Sequence, residues 1–211
     1  MPAYAEVYPL FNIPVFKIKV NEFDFDKANK DLEELEYERT NHGDGWMTKE
    51  QSLLTLPQFS EAEKVIRFTL QYYLYEVLKI KEEHQPKHVC SWGIYHDVDD
   101  WCFDHLHTNS LFSGVFYTNV PENSGEFIEF CHTQSIPTWC PSTLEPGVSE
   151  FNLHNSKSWK FKVQQGDMIL FPSHVLHQVP VSKTTEKRRS ISFNYFLTGK
   201  FGLKTAYAEF T

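Results

Sequence analysis

Residues 111–119 read Leu-Phe-Ser-Gly-Val-Phe-Tyr-Thr-Asn, and residues 188–197 read Arg-Arg-Ser-Ile-Ser-Phe-Asn-Tyr-Phe-Leu. Both are short runs of aromatic and β-branched residues, the composition that fits a pleated, packed strand. Similar runs lie at 89–95, 125–131, 159–163, 167–171 and 178–181, divided by clusters of Gly, Pro, Asn and Asp. Short strands at turn-punctuated intervals predict an antiparallel sandwich or barrel. Residues 121–124 (Pro-Glu-Asn-Ser) and 165–167 (Gln-Gly-Asp) read as hairpin connections. Residues 132–158, rich in Pro, Ser and Thr, form a longer connection of the kind that often serves as a lid or binding loop.

Upstream of residue 88 the pattern is different. Residues 14–20 alternate apolar and polar behind a proline and read as an edge strand. Asp24 or Asp26 can cap a helix running to Glu38, with Ala28, Leu32 and Leu35 on one face. Residues 41–45 (Asn-His-Gly-Asp-Gly) are turn chemistry, and Ser60 with Glu63 forms a capping-box pattern opening a second helix. Its apolar positions Ala62, Val65, Ile66, Leu70, Tyr73, Val77 and Ile80 recur at three and four. The fold expected is therefore mostly β, an antiparallel sandwich or barrel over 87–211, with an N-terminal strand and helices (1–86) packed on one outer face of the same structural unit.

At 211 residues, with 41% hydrophobic and 16% aromatic side chains, the chain can bury one core of ordinary domain size. Its 20 Lys and Arg against 28 Asp and Glu give a net charge of −8, and the longest basic run is Lys187 to Arg189. Binding to a nucleic-acid backbone by bulk charge is disfavoured. No leader pattern opens the chain and no window of about 18 apolar residues occurs, so a cytoplasmic protein with no membrane association is expected. Cys90, Cys102, Cys131 and Cys140 stand at spacings of 12, 29 and 9, which fit neither a CxxC pair nor a dense disulfide framework. Trp92, Tyr95, Trp101, Phe116 and Phe127 read as core, and Glu126 and Glu129 as solvated edge charges.

The ten histidines carry the functional signal. His105 and His107 are two apart, so in an extended segment both rings point to one side, spaced to chelate one ion. His177 lies about 70 residues on; meeting the pair, it would complete a facial set of three with coordination positions left open. His174 would face the opposite way from His177. A structural zinc site using Cys102 with the pair lacks a local fourth ligand. Downstream, Arg188 and Ser190 share one face of a strand, and a guanidinium beside a hydroxyl can hold a planar carboxylate.

His105-Leu-His107, then Ser113-Gly114-Val115-Phe116-Tyr117, then residues 166–173, then His177, then Arg188 through Asn194 follow in a fixed order that resembles the Fe(II)/2-oxoglutarate-dependent oxygenase superfamily. The likeness is narrower still to its small oxygenase subgroup of marine bacteria and phages, with an echo in residues 8–16. The resemblance implies a double-stranded β-helix, or jelly roll, with Fe(II) held by His105, His107 and His177. It further implies that 2-oxoglutarate chelates the metal and is anchored by Arg188 and Ser190, with Tyr117 donating a further hydrogen bond. The implied reaction converts 2-oxoglutarate to succinate and carbon dioxide while a small-molecule or amino-acid-type substrate is hydroxylated. A host-cytoplasmic location, if the chain is phage-encoded, and a homodimer are compatible with this reading. One departure matters: the superfamily's usual His-x-Asp/Glu carries its carboxylate where this chain has His107, if His105 is the first ligand, or Asn109, if His107 is, with Asp104 as fallback, and Thr108 replaces the subgroup's proline. Two rival readings are a three-histidine cupin-type dioxygenase that needs no 2-oxoglutarate, and a non-catalytic jelly-roll binding module.

Overall fold

The computed structural model describes residues 6–7, 12–122, 124–132, 146–202, 205 and 207–211. Residues 8–11 of the N-terminal echo, Asn123, residues 133–145 of the long connection, and with them Cys140, lie outside the described residues.

The strands are β1 (Phe16–Lys19), β2 (Tyr37–Arg39), β3 (Trp46–Thr48), β4 (Pro86–His96), β5 (Cys102–His105), β6 (Phe112–Asn119), β7 (Phe127–Cys131), β8 (Ser158–Lys162), β9 (Asp167–Pro172), β10 (His177–Val179), β11 (Arg188–Leu197), β12 (Gly199–Phe201) and β13 (Ala208–Phe210). A seven-stranded antiparallel sheet runs β1-β9-β6-β11-β4-β3-β2 and faces a four-stranded sheet ordered β5-β10-β7-β8. From β4 to β11 the chain alternates between the two sheets at every step except β7 to β8, which pair with each other, and this winding is a jelly roll. That alternation corrects the hairpin reading of 121–124 and 165–167. β6 and β7 belong to different sheets, as do β8 and β9, so both turns are crossings from one sheet to the other.

The large sheet is buried on both faces, and strand periodicity divides its residues between two cores. Phe116, Met168, Leu170, Ile191, Phe193 and Tyr195 face outward to the helices; Tyr117, Ile169 and Phe171 face inward to Ile128 and Phe130 of the small sheet. Two helices cover the outer face, α1 (Phe25–Glu33) with Leu32 and α2 (Ser60–Tyr72) with Ala62, Ile66 and Leu70. Asp24 caps α1 by accepting from the Lys27 amide at 2.9 Å. The helix stops at Glu33, short of Glu38, because Tyr37–Arg39 is drawn into β2 on the edge of the large sheet. The capping box at Ser60 does not form, since a 3-10 turn, Pro57–Phe59, runs straight into α2. Beyond Tyr72 the helix widens into a π turn, Tyr73–Val77, that buries Tyr73 and Leu74. The N-terminal flank also enters the large sheet directly, through β1 against β9 and β3 against β4.

Close packing across the large sheet needs a glycine at 114. A Cβ there would lie 2.5 Å from the Phe193 ring and 2.6 Å from Leu170. Gly114→Ala is expected to cost about 1–3 kcal/mol, read as a lowered urea midpoint at unchanged slope.

Candidate active site

The first turn of β10 sits between β5 and β7, and its antiparallel register sets His177 opposite His105 on one side and Phe130 on the other. His107 follows two residues after β5 ends, its amide held by the Ser173 carbonyl at 2.9 Å. These segments bring the three rings together with centroids 4.3, 5.2 and 5.3 Å apart. One donor atom from each lies within 4.8 Å of the others. His174 is exposed, in the turn between β9 and β10 and not in an extended segment, and is outside the cluster. Asp104 is exposed and outside the cluster, and Cys102 contributes to no metal-binding group among the described residues. Cys102 instead sits 3.7 Å from His105 Nδ1.

The ring tautomers are set by the backbone. His105 Nδ1 donates to the Phe103 carbonyl at 2.8 Å and His177 Nδ1 to the Val175 carbonyl at 2.9 Å, which leaves both Nε2 lone pairs free. His107 Nδ1 lies 3.3 Å from the Asn194 amide, whose other end meets Ser113 Oγ at 2.7 Å and, through it, Ser173 Oγ at 2.9 Å. Turning the Asn194 amide over lets its oxygen accept from His107 Nδ1–H, which gives the third ring the same free Nε2. Burial, reinforced by the neighbouring rings, pushes His177 down to about 3 and His107 to about 4, and lowers His105 as well. The rings are thus neutral donors at physiological pH, the protonation state that metal ligation requires.

A cavity of about 320 Å³ opens from the histidines and runs along the inner face of β11. Alternation puts Arg188, Ser190, Ser192 and Asn194 on that face, with Asn194 at the histidine end and Arg188 at the other. Arg188 is buried; its Nη2 donates to the Tyr117 hydroxyl at 3.2 Å and its Nη1 to the Phe127 carbonyl at 3.2 Å. Its Nε has no partner among the described residues, and the Ser190 hydroxyl makes no hydrogen bond there either. An unpaired buried guanidinium nitrogen beside a free hydroxyl is what an anion site looks like before the anion is bound. The three histidines fit an iron ion, and the Arg188 end of the cavity fits a carboxylate.

Some readings change. Glu126 and Glu129 are buried, not solvated edge charges. Glu126 pairs with Arg188 Nη1 at 3.4 Å and accepts from Ser182 and Lys183, while Glu129 accepts from Ser158 and Gln178. Trp92 lines the cavity although it reads as core. The sequence reading missed Asn194 and His96, yet counting in twos back from Asn194 to Arg188, and along β4, places both on the inner face. His96 is buried at the cavity wall, and burial together with the Arg188 charge lowers it to about 3. The missed loop residue His42 stacks on His105 at 5.5 Å, because the β2–β3 turn is pinned along β5. Nothing in its local sequence signals that.

Residues 90–194 match the model of a family described as "Putative 2OG-Fe(II) oxygenase". The chain belongs to the 2OG-Fe(II) oxygenases. This oxygenase has the fold of several solved structures. HygX from Streptomyces hygroscopicus, with nickel, 2-oxoglutarate and hygromycin B bound, aligns at TM-score 0.57 and 12% identity over 87% of this chain and 83% of its own. A prolyl-4-hydroxylase from Pseudomonas putida aligns at 0.52 and 12% over 89% and 94%. The viral collagen prolyl hydroxylase from Paramecium Bursaria Chlorella virus-1, in its 2OG complex, aligns at 0.54 and 12% over 86% and 94%. No curated protein matches. The oxygenase's family uses Fe(II) and 2-oxoglutarate, and no helix among its described residues is long and apolar enough to cross a membrane.

The neutral histidines give a pH prediction for the metal-free oxygenase. His96, His107 and His177 have native values well below the ordinary 6.5, so the unfolded chain binds more protons between about pH 6.5 and 4. Their contribution to stability is therefore complete above pH 6.5 and is lost as pH falls toward the native values, by up to about 1.4 kcal/mol per unit for each ring. Thermal melting of chelator-treated protein is expected to drop steeply from pH 7 to 5; a flat profile would contradict the burial of these rings.

Proposed function

We propose that the protein is an Fe(II)- and 2-oxoglutarate-dependent hydroxylase in which His105, His107 and His177 hold the iron. Arg188, Ser190 and Tyr117 bind the distal carboxylate of 2-oxoglutarate, which is converted to succinate and carbon dioxide. The observation that carries this reading is a single cavity walled at one end by three imidazoles whose donor atoms lie within 4.8 Å of one another and at the other by a buried guanidinium with an unpaired nitrogen. When bound, the iron and 2-oxoglutarate supply the oxidising chemistry that these side chains lack. The chain's part is to hold and orient. Phe103 and Val175 carbonyls fix two rings, Asn194 fixes the third, and Phe130 and Phe171 pack beside His177 to exclude water. Residues 1–86 and 87–211 work as one unit, because the flank's β2–β3 turn and Gln51 supply part of the cavity wall.

None of the residues lining the cavity is Asp or Glu. In a chain of net charge −8 that points to an uncharged or anionic substrate, a small molecule or amino-acid-type group, over a cationic one or a nucleic acid. Adding 2-oxoglutarate to the Fe(II) protein without oxygen is expected to produce a charge-transfer absorption band in the visible. Its absence at saturating ligand would overturn the assignment. The all-histidine metal set also suits a three-histidine dioxygenase acting without 2-oxoglutarate, and the two separate on whether succinate forms during turnover.

A further inference from the structure

We propose that His96 is a binding residue for the distal carboxylate of 2-oxoglutarate, a third donor beside Arg188 and Ser190. The inference rests on the 2-oxoglutarate reading above and goes beyond it by assigning a residue that no motif marks.

His96 ends β4 directly opposite Arg188 in the antiparallel register of β11, so the two side chains leave adjacent strands on the same inward face. Its ring is 3% exposed and lines the cavity. It makes no side-chain hydrogen bond among the described residues and faces a cavity that can supply the partner. The ring cannot swing away from the cavity toward the β2–β3 turn. Gly45 packs against its edge so tightly that a Cβ there would sit 2.8 Å from Nε2. The next strand position along the wall, Ile94, is apolar and faces Ser190 in register. The His96 ring therefore lies at the same end of the cavity as Arg188 Nε, which has no partner among the described residues.

The chemistry favours an anion as the missing partner. A neutral imidazole always carries one N–H, and beside a guanidinium it is not protonated, so it adds a hydrogen bond to a carboxylate without adding charge. Arg188 is already partly neutralised by Glu126 and spends three of its five N–H groups on Glu126, Phe127 and Tyr117, which leaves two for an incoming carboxylate. A carboxylate oxygen accepts more than one hydrogen bond, and His96 supplies a further donor beside these two.

The test titrates ligands into anaerobic Fe(II) protein and follows the visible charge-transfer band. The ligands are 2-oxoglutarate and 2-oxovalerate, which keeps the chelating end and chain length but has a methyl in place of the distal carboxylate. His96→Phe keeps the ring shape and removes both nitrogens; His96→Leu serves if the phenylalanine variant melts early. The apolar variants are expected to weaken 2-oxoglutarate about tenfold to a hundredfold, with 2-oxovalerate affinity and iron content unchanged. His96→Gln, which retains an N–H donor, should recover most of the loss. Equal affinities for 2-oxoglutarate in wild type and the apolar variants, or equal losses for both ligands, would overturn the inference while leaving the band and the function intact. A wild-type protein giving no band with either ligand would overturn the function and this inference together.

Discussion

Replacing His177 with alanine is expected to weaken Fe(II) binding by more than the roughly 10–100-fold that loss of an outer hydrogen-bond partner costs, and to abolish 2-oxoglutarate turnover. The ring is the one member of the three that stands inside the small sheet, paired on both sides, and its Nε2 is freed by the bond to the Val175 carbonyl. With it gone, His105 and His107 remain as two donors from one short segment, too few to retain a ferrous ion against a chelator. The loss should not come from unfolding. A buried neutral imidazole is removed without stranding a charge, though the void beside Phe130 and Phe171 costs some stability, read by thermal melting. His174→Ala, three residues away and exposed, is the matched control and should bind iron like the parent. Iron content after gel filtration and an isothermal titration decide it; undiminished Fe(II) affinity in His177→Ala would remove the metal site. Asn194→Ala is expected to fall between, about 10–100-fold weaker, because it orients His107 without touching the ion.

Much of this site was legible because strand alternation is a strict rule. The two-residue spacings His105/His107 and Arg188/Ser190 put each pair on one face of an extended backbone; β11 supplies it for the second pair, while His105 ends β5 and His107 is held just beyond it by the Ser173 carbonyl. The strands were legible for a similar reason: β6 and β11, packed on both faces, carry clusters of aromatic and β-branched residues such as Val115, Phe116 and Tyr117 or Ile191, Phe193 and Tyr195. What stayed hidden depends on contacts between distant segments. Glu126 looks like an edge charge until β7 is placed against the start of β11, where Arg188 takes it inward. The three-residue strands β2 and β3 have too little sequence to register as strands and exist by pairing, β3 with β4 and β2 with β3. His42 meets His105 only because that hairpin folds over β5.

Arg188 shows how ligand binding and stability can be confused, and how to part them. Arg188→Met should lower stability by about 3–5 kcal/mol, since it strands the Glu126 carboxylate, which is 5% exposed. Accepting from Ser182 and Lys183 keeps that cost toward the lower end. The same variant should weaken 2-oxoglutarate about 30-fold or more, as expected when one partner of a buried charged contact is removed. A destabilised protein that binds poorly proves little by itself. Arg188→Met combined with Glu126→Gln removes the stranded charge, so the melting temperature should largely return. Affinity for 2-oxoglutarate should not, because the guanidinium that holds its carboxylate is still missing. Glu126→Gln alone leaves Arg188 in place with one competing anion fewer, and should bind 2-oxoglutarate at least as tightly as the parent. If the double variant regained full affinity along with its stability, Arg188 would be a structural ion pair and the carboxylate would have to be held elsewhere in the cavity.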